Sequence, residues 1–213
     1  MNIAIFGAGG ATGRLLTERG LAAGHNIVAL IRTPEKFSFR DKVHVVQGSA
    51  FDPAAVRQTV DGADVVFSAL GAHSPLRNEN VLPRAVPIIV DAMQRASVRR
   101  IIVLGSAGAL PDSLGKQPAW RRWFVQNIIY NTFLKWPVAE QISQYATLSA
   151  SNLDWTMVMP PMLTNAPAHG HYRIDGEALP GNGSKISRAD VADFMMLQIT
   201  DPQWIRKGVY ISW

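Results

Sequence analysis

Short runs of β-branched, aliphatic and aromatic residues recur along the chain, separated by stretches long enough to form helices. Runs of this length and composition predict β-strands. The predicted strands are Ile3–Phe6, Ile27–Ile31, Val43–Val46, Val65–Leu70, Ile101–Leu104 and Trp155–Met159. The predicted helices between them are Ala11–Ala23, Pro53–Val60, Asn80–Ala96 and Val138–Ser151. This alternation predicts an α/β fold, because right-handed crossovers lay helices on both faces of a parallel sheet.

The end of the chain continues the same pattern. Ile186–Asp190 predicts the start of a helix, because Ser187 and Asp190 have the spacing of a capping box. Gly208–Trp213 predicts a last strand. No internal repeat or linker marks a second unit, so we expect one domain over residues 1–213.

Two segments interrupt the regular alternation. Residues 118–136 are rich in aromatic and basic side chains, whereas residues 163–185 are polar and contain several glycines. Loops that follow the strands of open α/β sheets commonly contact ligands. We therefore expect both segments to border a pocket at the carboxyl ends of the strands.

The composition is that of a globular protein with a sizeable core. Of the 213 residues, 47% are hydrophobic and 17% are charged, and the formal net charge is +5 with a pI near 9.8. The positive charge by itself suggests a polyanionic partner. The sequence contains no cysteine, which excludes disulfides, thiolate metal sites and a cysteine nucleophile and favours a cytoplasmic location.

The first residues and the hydrophobic runs predict neither export nor a membrane span. Asn2–Phe6 begins the first strand directly, without the charged flank and long apolar core of a signal peptide. No apolar run approaches the roughly 18 residues that a spanning helix needs. We expect a cytoplasmic protein with no stable membrane insertion.

A glycine-rich loop follows the first predicted strand and opens the first predicted helix. It reads Gly7-Ala8-Gly9-Gly10-Ala11-Thr12-Gly13. Glycines at this spacing permit a sharp turn, a close approach of the backbone to a pyrophosphate, and tight packing of helix on sheet. The helix N-terminus adds free N–H groups and a partial positive charge. Strand, loop and helix together predict a Rossmann-type, doubly wound α/β domain that binds a dinucleotide.

Residues at the end of the second predicted strand favour one of the two nicotinamide dinucleotides. An NAD site normally places Asp or Glu about 20 residues beyond the glycines, where it accepts hydrogen bonds from the ribose 2′-OH. This chain has Arg32 there and Lys36 four residues later, with Arg14 as a further candidate. Cations suit a 2′-phosphate, so we expect NADP(H) to be preferred over NAD(H). A solvated surface pair is the alternative interpretation.

Short motifs after the predicted strands together resemble one family. They are the loop Gly7–Gly13, Arg32, Gly48-Ser49-Ala50, Leu70-Gly71, Gly105-Ser106-Ala107 and Met159-Pro160-Pro161. In this pattern the chain resembles the atypical short-chain dehydrogenase/reductases, in their NAD(P)H-binding, NmrA-like branch. Within that branch it is similar to the flavin reductase and biliverdin-IXβ reductase group. The resemblance runs from Met1 to about Leu197 and is specific for the branch, not for a substrate.

The resemblance implies a set of cofactor contacts along the carboxyl ends of the strands. It implies a 2′-phosphate site at Arg32 and Lys36, and an adenine site at Ser49 and Ala50, although the family usually has Asp in place of Ser49. It implies a diphosphate site at Gly7, Gly10, Ala11, Thr12 and Gly13, with Gly9 of the same loop also a cofactor-binding candidate. It places ribose and nicotinamide against Leu70, Gly71, Ala72, Ser106, Pro160 and Pro161.

The family's usual catalytic pair is missing from the sequence. Typical members reduce carbonyl groups with a Tyr-x-x-x-Lys pair, in which the tyrosine is the acid and the lysine lowers its pKa. Counting back from the Leu153-Asp154-Trp155 run, the lysine position is Gln141 and the tyrosine position is Pro137. Tyr130 and Lys135 are five residues apart, so on a helix they point about 140° apart. We expect no such pair, and Gln141 is a cofactor-binding candidate.

The missing acid restricts the chemistry that we expect. Hydride transfer to a simple ketone needs a proton donor for the developing alkoxide. Flavins, quinones and linear tetrapyrroles are conjugated acceptors that spread the added charge, and water can protonate them afterwards. We therefore expect an NADPH-dependent reductase of a small conjugated acceptor, with flavin as a substrate and not a bound cofactor. The alternative is a redox sensor that binds NADP(H) without turnover, as some NmrA-like proteins are thought to do.

A few polar side chains are candidates for further roles. Ser106 would place its hydroxyl beside the nicotinamide or the acceptor, and the alternative is a serine that only caps a turn. His73 follows the fourth strand and belongs either to the pocket or to a surface loop. His169 and His171 form a His-x-His pair, but no carboxylate or third histidine at ligand spacing accompanies them, so no metal site is predicted.

The aromatic and basic segment from Trp120 to Trp136 has several possible roles. One helical stripe predicts a helix packed on the domain; it consists of Val125, Ile128, Ile129, Phe133 and Trp136. A hydrophobic lid over the acceptor, a dimer contact and a membrane-surface contact are the alternatives. We expect no nucleic-acid partner, because no recognised binding motif accompanies the charge, and we expect a monomer or a homodimer.

Overall fold

A mostly parallel sheet of eight strands forms the centre of the protein in the computed structural model, which describes residues 1–72, 74, 76–108 and 110–213. The strands in chain order are β1 (Asn2–Phe6), β2 (Asn26–Ile31), β3 (His44–Gln47), β4 (Val65–Ser68), β5 (Arg100–Leu104), β6 (Asp154–Met159), β7 (Met162–Thr164), β8 (Arg173–Asp175), β9 (Lys185–Ser187) and β10 (Lys207–Ser212). The sheet order is β3-β2-β1-β4-β5-β6-β10-β8, and β8 is antiparallel to β10. A separate parallel pair joins β7 to β9.

Helices cover both faces of the sheet. They are α1 (Ala11–Ala22), α2 (Pro53–Val60), α3 (Val81–Arg95), α4 (Ala119–Phe124), α5 (Lys135–Ala150) and α6 (Arg188–Leu197). A π-helix over Val125–Phe133 joins α4 to α5, and 3-10 turns lie at Pro34–Lys36 and Pro111–Leu114. This arrangement confirms the α/β, doubly wound Rossmann-type fold.

The core lies in two layers, because successive side chains of a strand point to opposite faces. Ile3 and Ile5 of β1 pack with α1 and α6, whereas Ala4 and Phe6 pack on the side of α2, α3 and α5. Both sets are fully buried. Strands buried on both faces lack a polar alternation, which is why they stand out in the sequence as continuous apolar runs.

The ends of the elements differ from the predicted ones by a few residues. β4 ends at Ser68 and not at Leu70; Ala69 still donates its N–H to Phe6, and Leu70 leaves the sheet. α5 begins at Lys135 and not at Val138, because Pro137 lies in the first turn, where a missing N–H costs nothing. The π-helix and the short strands β7, β8 and β9 were not predicted.

The predicted cap of α6 is confirmed. Ser187 is the N-cap residue, and its Oγ accepts the Asp190 N–H at 2.9 Å. The Ser187 hydroxyl donates to the Asp190 carboxylate at 2.7 Å. The same carboxylate also accepts the N–H groups of His169 and Gly170 and the indole N–H of Trp213. Asp190 therefore ties the 163–185 segment and the last strand to the start of α6.

Candidate cofactor and acceptor site

The glycine-rich loop is held in a turn that only glycine suits. Gly7 follows β1 with φ +81°, and the Gly10 N–H donates to the Gly7 carbonyl at 2.9 Å. A Cβ added at Gly7 would lie 2.6 Å from the carbonyl oxygen of Ala69, which follows the neighbouring strand. Both the left-handed conformation and the lack of space therefore require glycine here.

The first helix packs directly on this loop. A Cβ at Gly13 would overlap the carbonyl oxygen of Gly7, so α1 can approach only because residue 13 is glycine. Gly10 is the N-cap residue and offers no side-chain cap to the first N–H groups of α1. No acidic residue lies in the first turn. Free N–H groups at a helix N-terminus bind anions such as phosphate, which is the role that we predict for Ala11, Thr12 and their glycine neighbours.

A groove of about 510 Å³ borders the start of α1 on its outer side. The exposed Arg14 lies in it, and its Nε donates to the Gly9 carbonyl at 3.1 Å. Arg188 of α6 lies opposite, and its guanidinium donates to the Asn165 side chain at 2.8 Å. The groove thus connects the phosphate loop to the segment that follows β7. Its lining residues are Ala11, Arg14, Leu15, Glu18, Ser38, Phe39, Asn165, Ala166, Pro167, Arg188 and Ala189.

The two cations predicted to select the cofactor lie at the same edge of the sheet as the phosphate loop. Arg32 directly follows β2 and is exposed. Lys36 is the last residue of the 3-10 turn after it, is also exposed, and shares the turn with Glu35. The Gly48 N–H donates to the Ile31 carbonyl at 3.0 Å, so the loop after β3 lies beside the end of β2, which Arg32 follows.

The loop after β3 contains the predicted adenine residues. Ser49 and Ala50 are both partly buried, and Ala50 packs against the core. The Ser49 hydroxyl accepts the Phe51 N–H at 3.2 Å, so it stabilises the turn of the loop. The Arg84 guanidinium lies 4.1 Å from the centre of the Phe51 ring. The adenine contact itself stays a prediction.

The carboxyl ends of β4, β5 and β6 meet at the other half of this edge. After β4, Leu70 is partly buried against the core, Gly71 is exposed and Ala72 is partly buried. The Gly105 N–H donates to the Val158 carbonyl at 2.7 Å, and the Ala107 N–H donates to the Pro160 carbonyl at 2.9 Å. These two hydrogen bonds fix the loop after β5 beside the proline turn after β6.

Ser106 lies between those two anchoring residues. It is partly buried, and its Oγ is 3.5 Å from the Gly108 N–H, at the limit of a hydrogen bond. The structure therefore brings Ser106 next to Pro160 and the partly buried Pro161, as the predicted nicotinamide site requires. Its hydroxyl keeps a proton that it can donate to a ligand.

Tyr130 also reaches this end of the sheet, although the sequence analysis did not place it there. A Cβ at Gly108 would lie 2.9 Å from Cζ and 3.0 Å from Oη of Tyr130, so the ring covers Gly108. Burial raises the pKa of Tyr130 to about 12, which keeps its hydroxyl protonated at neutral pH. The Tyr-x-x-x-Lys spacing gave no signal for this residue, because the π-helix and not a partner lysine positions it.

Lys135 does not accompany Tyr130 as a catalytic lysine would. Its ammonium group lies 5.1 Å from the ring centre of Trp136, the next residue. Pro137 and Gln141, which we predict to occupy the family's tyrosine and lysine positions, lie in the first two turns of α5. Gln141 is partly buried, and its side-chain oxygen Oε1 accepts a hydrogen bond from the Gln144 side-chain amide at 3.1 Å.

Buried polar side chains lie beneath the ends of β4 and β5. The Gln144 amide donates to the Leu104 carbonyl at 3.2 Å, and the Glu140 carboxylate accepts the Leu82 N–H at the start of α3 at 2.9 Å. The side-chain oxygens of Ser68, Glu140 (Oε1) and Gln144 (Oε1) are buried without a hydrogen-bond partner. Glu140 therefore supports α3 next to the site, and the sequence analysis did not identify it.

The remaining histidine candidates do not converge on this site. His73 lies outside the described residues. His169 stacks on Trp213 with ring centres 3.8 Å apart, and His171 lies 6.3 Å from His169. Across the described part of the chain, no group of three or more histidine or acidic side chains could hold a metal ion. No described helix combines the length and apolar character needed to cross a bilayer.

Comparison with solved structures identifies the same fold in NAD(P)-binding enzymes. A short-chain dehydrogenase/reductase from Veillonella parvula, solved in complex with NADP, has a TM-score of 0.79 at 24% identity and covers 100% of this chain and 94% of its own. ChuY, an anaerobillin reductase from Escherichia coli O157:H7, has a TM-score of 0.79 at 21% identity. The match covers 100% of this chain and 97% of ChuY.

Comparison by sequence finds partial relatives and one family. YwnB, an uncharacterised protein of Bacillus subtilis, is 27% identical over 110 residues, which are 52% of this chain and 49% of YwnB. Rv2047c, an uncharacterised protein of Mycobacterium tuberculosis, is 31% identical over 107 residues, which are 50% of this chain and 12% of Rv2047c. The chain thus matches about half or less of the length of these curated relatives. The NAD(P)H-binding family model matches residues 7–202. Because that match spans most of the chain, the protein belongs to the NAD(P)H-binding family, with the fold of the short-chain dehydrogenase/reductases.

Proposed function

We propose that this NAD(P)H-binding protein is an NADPH-dependent reductase of a small conjugated acceptor, such as a flavin, a quinone or a biliverdin-like tetrapyrrole. The observation that carries the proposal is the composition of the sheet edge. A phosphate-binding loop at β1 leads to the ends of β4, β5 and β6, while Pro137 and Gln141 occupy the positions of the tyrosine and lysine used for simple carbonyls. We further propose that the chain acts as one cytoplasmic domain, as a monomer or a homodimer.

The cofactor half of the site supports a preference for NADPH. Arg32 and Lys36 are both exposed beside the loop after β3, where the 2′-phosphate of an extended dinucleotide would lie. A guanidinium and an ammonium group form charge-assisted hydrogen bonds with phosphate. The Veillonella structure of the same fold holds NADP, which agrees with this assignment.

The acceptor half of the site supports hydride transfer without a dedicated acid. Bound NADPH would supply the hydride, and solvent would supply the proton that completes the reduction. Ser106 and Tyr130 would donate hydrogen bonds to oxygen or nitrogen atoms of the acceptor, because both keep their hydroxyl protons at neutral pH. The partly buried Pro161 and the Tyr130 ring would limit how the flat acceptor lies.

One protein of the same fold is a reductase. ChuY is an anaerobillin reductase, and its structure covers the whole of this chain. Its 21% identity shows the shared fold and leaves the acceptor of this protein to be determined. The proposal for this chain therefore depends on its own residues at the sheet edge.

An NADP(H) sensor is the second candidate function. The same absence of tyrosine and lysine at Pro137 and Gln141 favours it, because a sensor binds the dinucleotide without reacting. The two functions predict the same cofactor affinity and opposite results for turnover.

An acceptor panel distinguishes the two functions. NADPH oxidation is followed by its near-ultraviolet absorbance while FMN, FAD, biliverdin and quinones are offered separately. The reductase oxidises NADPH with at least one of them and does so faster than it oxidises NADH. Tight NADPH binding without oxidation by any acceptor identifies the sensor instead.

A further inference from the structure

Large apolar side chains are exposed along one side of α4 and the π-helix. Trp120 is 74% exposed, Trp123 61%, Phe124 46% and Ile128 39%. We call these four residues the outer apolar face. Single exposed apolar residues are common in soluble proteins, but a contiguous group that includes two tryptophans marks an interaction surface.

The spacing of these residues shows that they share a side of the segment. Their positions are i, i+3, i+4 and i+8, the repeat of one helix face. The opposite side contains partly buried residues, among them Val125, Ile129 and Tyr130. Ile128 was predicted to belong to the packed stripe, and this was wrong, because 39% of it is exposed and it lies on the outer face.

The chain around the outer apolar face carries only positive charge. Residues 113–139 contain no Asp or Glu. Their cations are Lys116, Arg121, Arg122 and Lys135. Lys116 pairs with Asp175 at 2.6 Å and with Glu177 at 3.1 Å. Arg121 donates to Gln117 at 3.2 Å, while Arg122 and Lys135 are exposed. An exposed apolar face flanked by cations is complementary to an anionic lipid surface.

We infer that the outer apolar face docks the protein on an anionic membrane surface, where a quinone dissolved in the bilayer serves as the acceptor. The choice of acceptor rests on the proposed reductase function, whereas the docking does not. Tryptophan prefers the membrane–water interface, because its ring is apolar and its N–H is polar. Arg122 and Lys135 add attraction to acidic headgroups.

A position next to the acceptor site links docking to catalysis. Tyr130 lies on the inner side of the same segment and covers Gly108, two residues beyond Ser106. One segment thus separates the site from the docked surface. A quinone that leaves the bilayer beside this segment would reach the edge of β5 without crossing the rest of the protein.

A second copy of the chain fits the outer apolar face less well than a lipid surface does. A two-fold contact would set the segment against itself. Because residues 113–139 contain no carboxylate, this segment of one copy would offer no acidic partner to Arg122 and Lys135 of the other. Like charges at an interface disfavour association.

Vesicle sedimentation tests the docking. The protein is mixed with phosphatidylcholine vesicles, either pure or with about one-third phosphatidylglycerol. We expect at least about tenfold stronger partitioning to the anionic vesicles, decreasing as salt is added. Replacing both tryptophans (Trp120→Ser with Trp123→Ser) should lower that partitioning by about tenfold or more. Replacing two exposed apolar residues elsewhere, Leu197→Ser with Ile174→Ser, should leave it unchanged.

Two results would overturn the docking. One is equal or absent binding to both kinds of vesicle by the unaltered protein. The other is normal vesicle binding by the double tryptophan variant. If the unaltered protein is a dimer and this variant is a monomer, the outer apolar face is instead a contact between copies. Circular dichroism and the free energy of unfolding of each variant verify that it is folded.

A rate ratio tests the acceptor separately. NADPH oxidation is measured with menadione in solution and with a long-tailed quinone held in anionic vesicles. The ratio of the vesicle rate to the menadione rate should fall about tenfold in the double tryptophan variant. An unchanged ratio overturns the membrane quinone as acceptor. No oxidation with any quinone contradicts the proposed reductase function, and vesicle sedimentation still decides the docking.

Discussion

The two halves of the candidate site are built in different ways. At the glycine-rich loop, backbone atoms would form the proposed phosphate-binding surface, and Gly7 and Gly13 have no room for a Cβ. At the acceptor wall, by which we mean Ser106 and the Tyr130 ring over Gly108, side chains would form the surface. The largest exposed apolar side chains of the segment that contains Tyr130 lie on its outer side. Cofactor binding thus depends on close backbone geometry, which few substitutions preserve. In the proposed function, acceptor choice would depend on side chains that can change without altering the fold.

The two halves also differ in the type of helix that borders them. α1 is a regular α-helix whose N-terminus is directed at the loop. The acceptor wall instead includes part of a π-helix over nine residues, Val125–Phe133. π-helical segments are rare and often occur at functional sites, where they change the direction of side chains. Here the π-helix contains Tyr130, whose ring covers Gly108.

The substitution Gly13→Ala should have the largest effect on the cofactor half. Its Cβ would overlap the Gly7 carbonyl oxygen, so α1 and the loop must separate. We expect NADPH affinity to fall at least about a hundredfold, because several backbone hydrogen bonds to phosphate are lost together. Fluorescence titration with NADPH measures the loss.

A second glycine of the same helix supplies the control. In Gly20→Ala the new Cβ would lie 2.7 Å from Ile27 Cδ1, the end of a flexible side chain that can move aside. NADPH affinity should stay within about threefold of the original. If Gly13→Ala binds NADPH as the unaltered protein does, the phosphate loop does not bind the diphosphate.

Arg32→Glu should have the next largest effect, and only on one of the two dinucleotides. Charge-assisted hydrogen bonds contribute about 1.5–3 kcal/mol, so NADPH binding should weaken about ten- to a hundredfold while NADH improves relative to it. Arg57→Glu, in the last turn of α2, is the matched charge change away from the loop. Unchanged discrimination between NADPH and NADH in Arg32→Glu would refute the 2′-phosphate assignment.

Asp190→Asn tests the contrast between the two segments that were predicted to border the pocket. Asp190 fixes the 163–185 segment through hydrogen bonds, whereas the 118–136 segment keeps exposed side chains. Burial raises the pKa of Asp190, but hydrogen bonds from His169, Ser187, Gly170 and Trp213 outweigh it and leave the pKa below its ordinary value. We expect the substitution to lower the free energy of unfolding by about 2–3 kcal/mol at neutral pH.

The sign of the pKa shift fixes the pH dependence. A carboxylate with a lowered pKa in the folded state stabilises the protein above its unfolded pKa of about 3.9, and this stability is lost as the pH falls through the folded value. The difference between Asp190→Asn and the unaltered protein should therefore be constant near neutral pH and shrink below about pH 4. Asp193→Asn, whose carboxylate is 42% exposed and pairs with Arg19, is the control and should change stability little. A difference that grows on acidification would contradict the assignment.

Tyr130→Phe should have the smallest effect. A conjugated acceptor needs no dedicated acid, so kcat with a quinone should change by less than about threefold, whereas loss of a general acid costs about 10²–10⁴-fold. Tyr130→Ala removes the ring that covers Gly108 and should raise KM for the acceptor more than it lowers kcat. A hundredfold loss of kcat in Tyr130→Phe would show that the hydroxyl is the acid and that simple carbonyls are possible substrates.

The sequence predicted the backbone-built half of the molecule well. The strands are buried on both faces, so they appear as continuous apolar runs. Gly7, Gly10 and Gly13 follow one of these strands at a spacing that predicts a tight turn and a closely packed helix. Such signals are local, so β1, the loop and α1 were predicted within a residue or two. The cap of α6 by Ser187 was predicted for the same reason.

The side-chain-built half was predicted less well, because its contacts join distant parts of the chain. The contact of Tyr130 with Gly108 depends on a π-helix that no spacing rule indicated. Glu140 reaches the start of α3 across 58 residues, and its apolar neighbours gave no sign of that role. Ile128 was assigned to the packed stripe although it is 39% exposed, because apolar side chains at helical spacing do not by themselves show which of them are covered.

A single-turnover experiment tests most directly whether the two halves form one reductase. Enzyme in excess over NADPH is mixed with menadione, FMN or biliverdin without oxygen, and the NADPH absorbance is followed. With at least one acceptor, we predict that the NADPH absorbance disappears completely and that an equal amount of reduced acceptor forms. The reaction should be about tenfold slower in Ser106→Ala and absent in Gly13→Ala. The account is contradicted if the enzyme binds NADPH and its absorbance persists with every acceptor, or if Gly13→Ala reacts as fast as the unaltered protein.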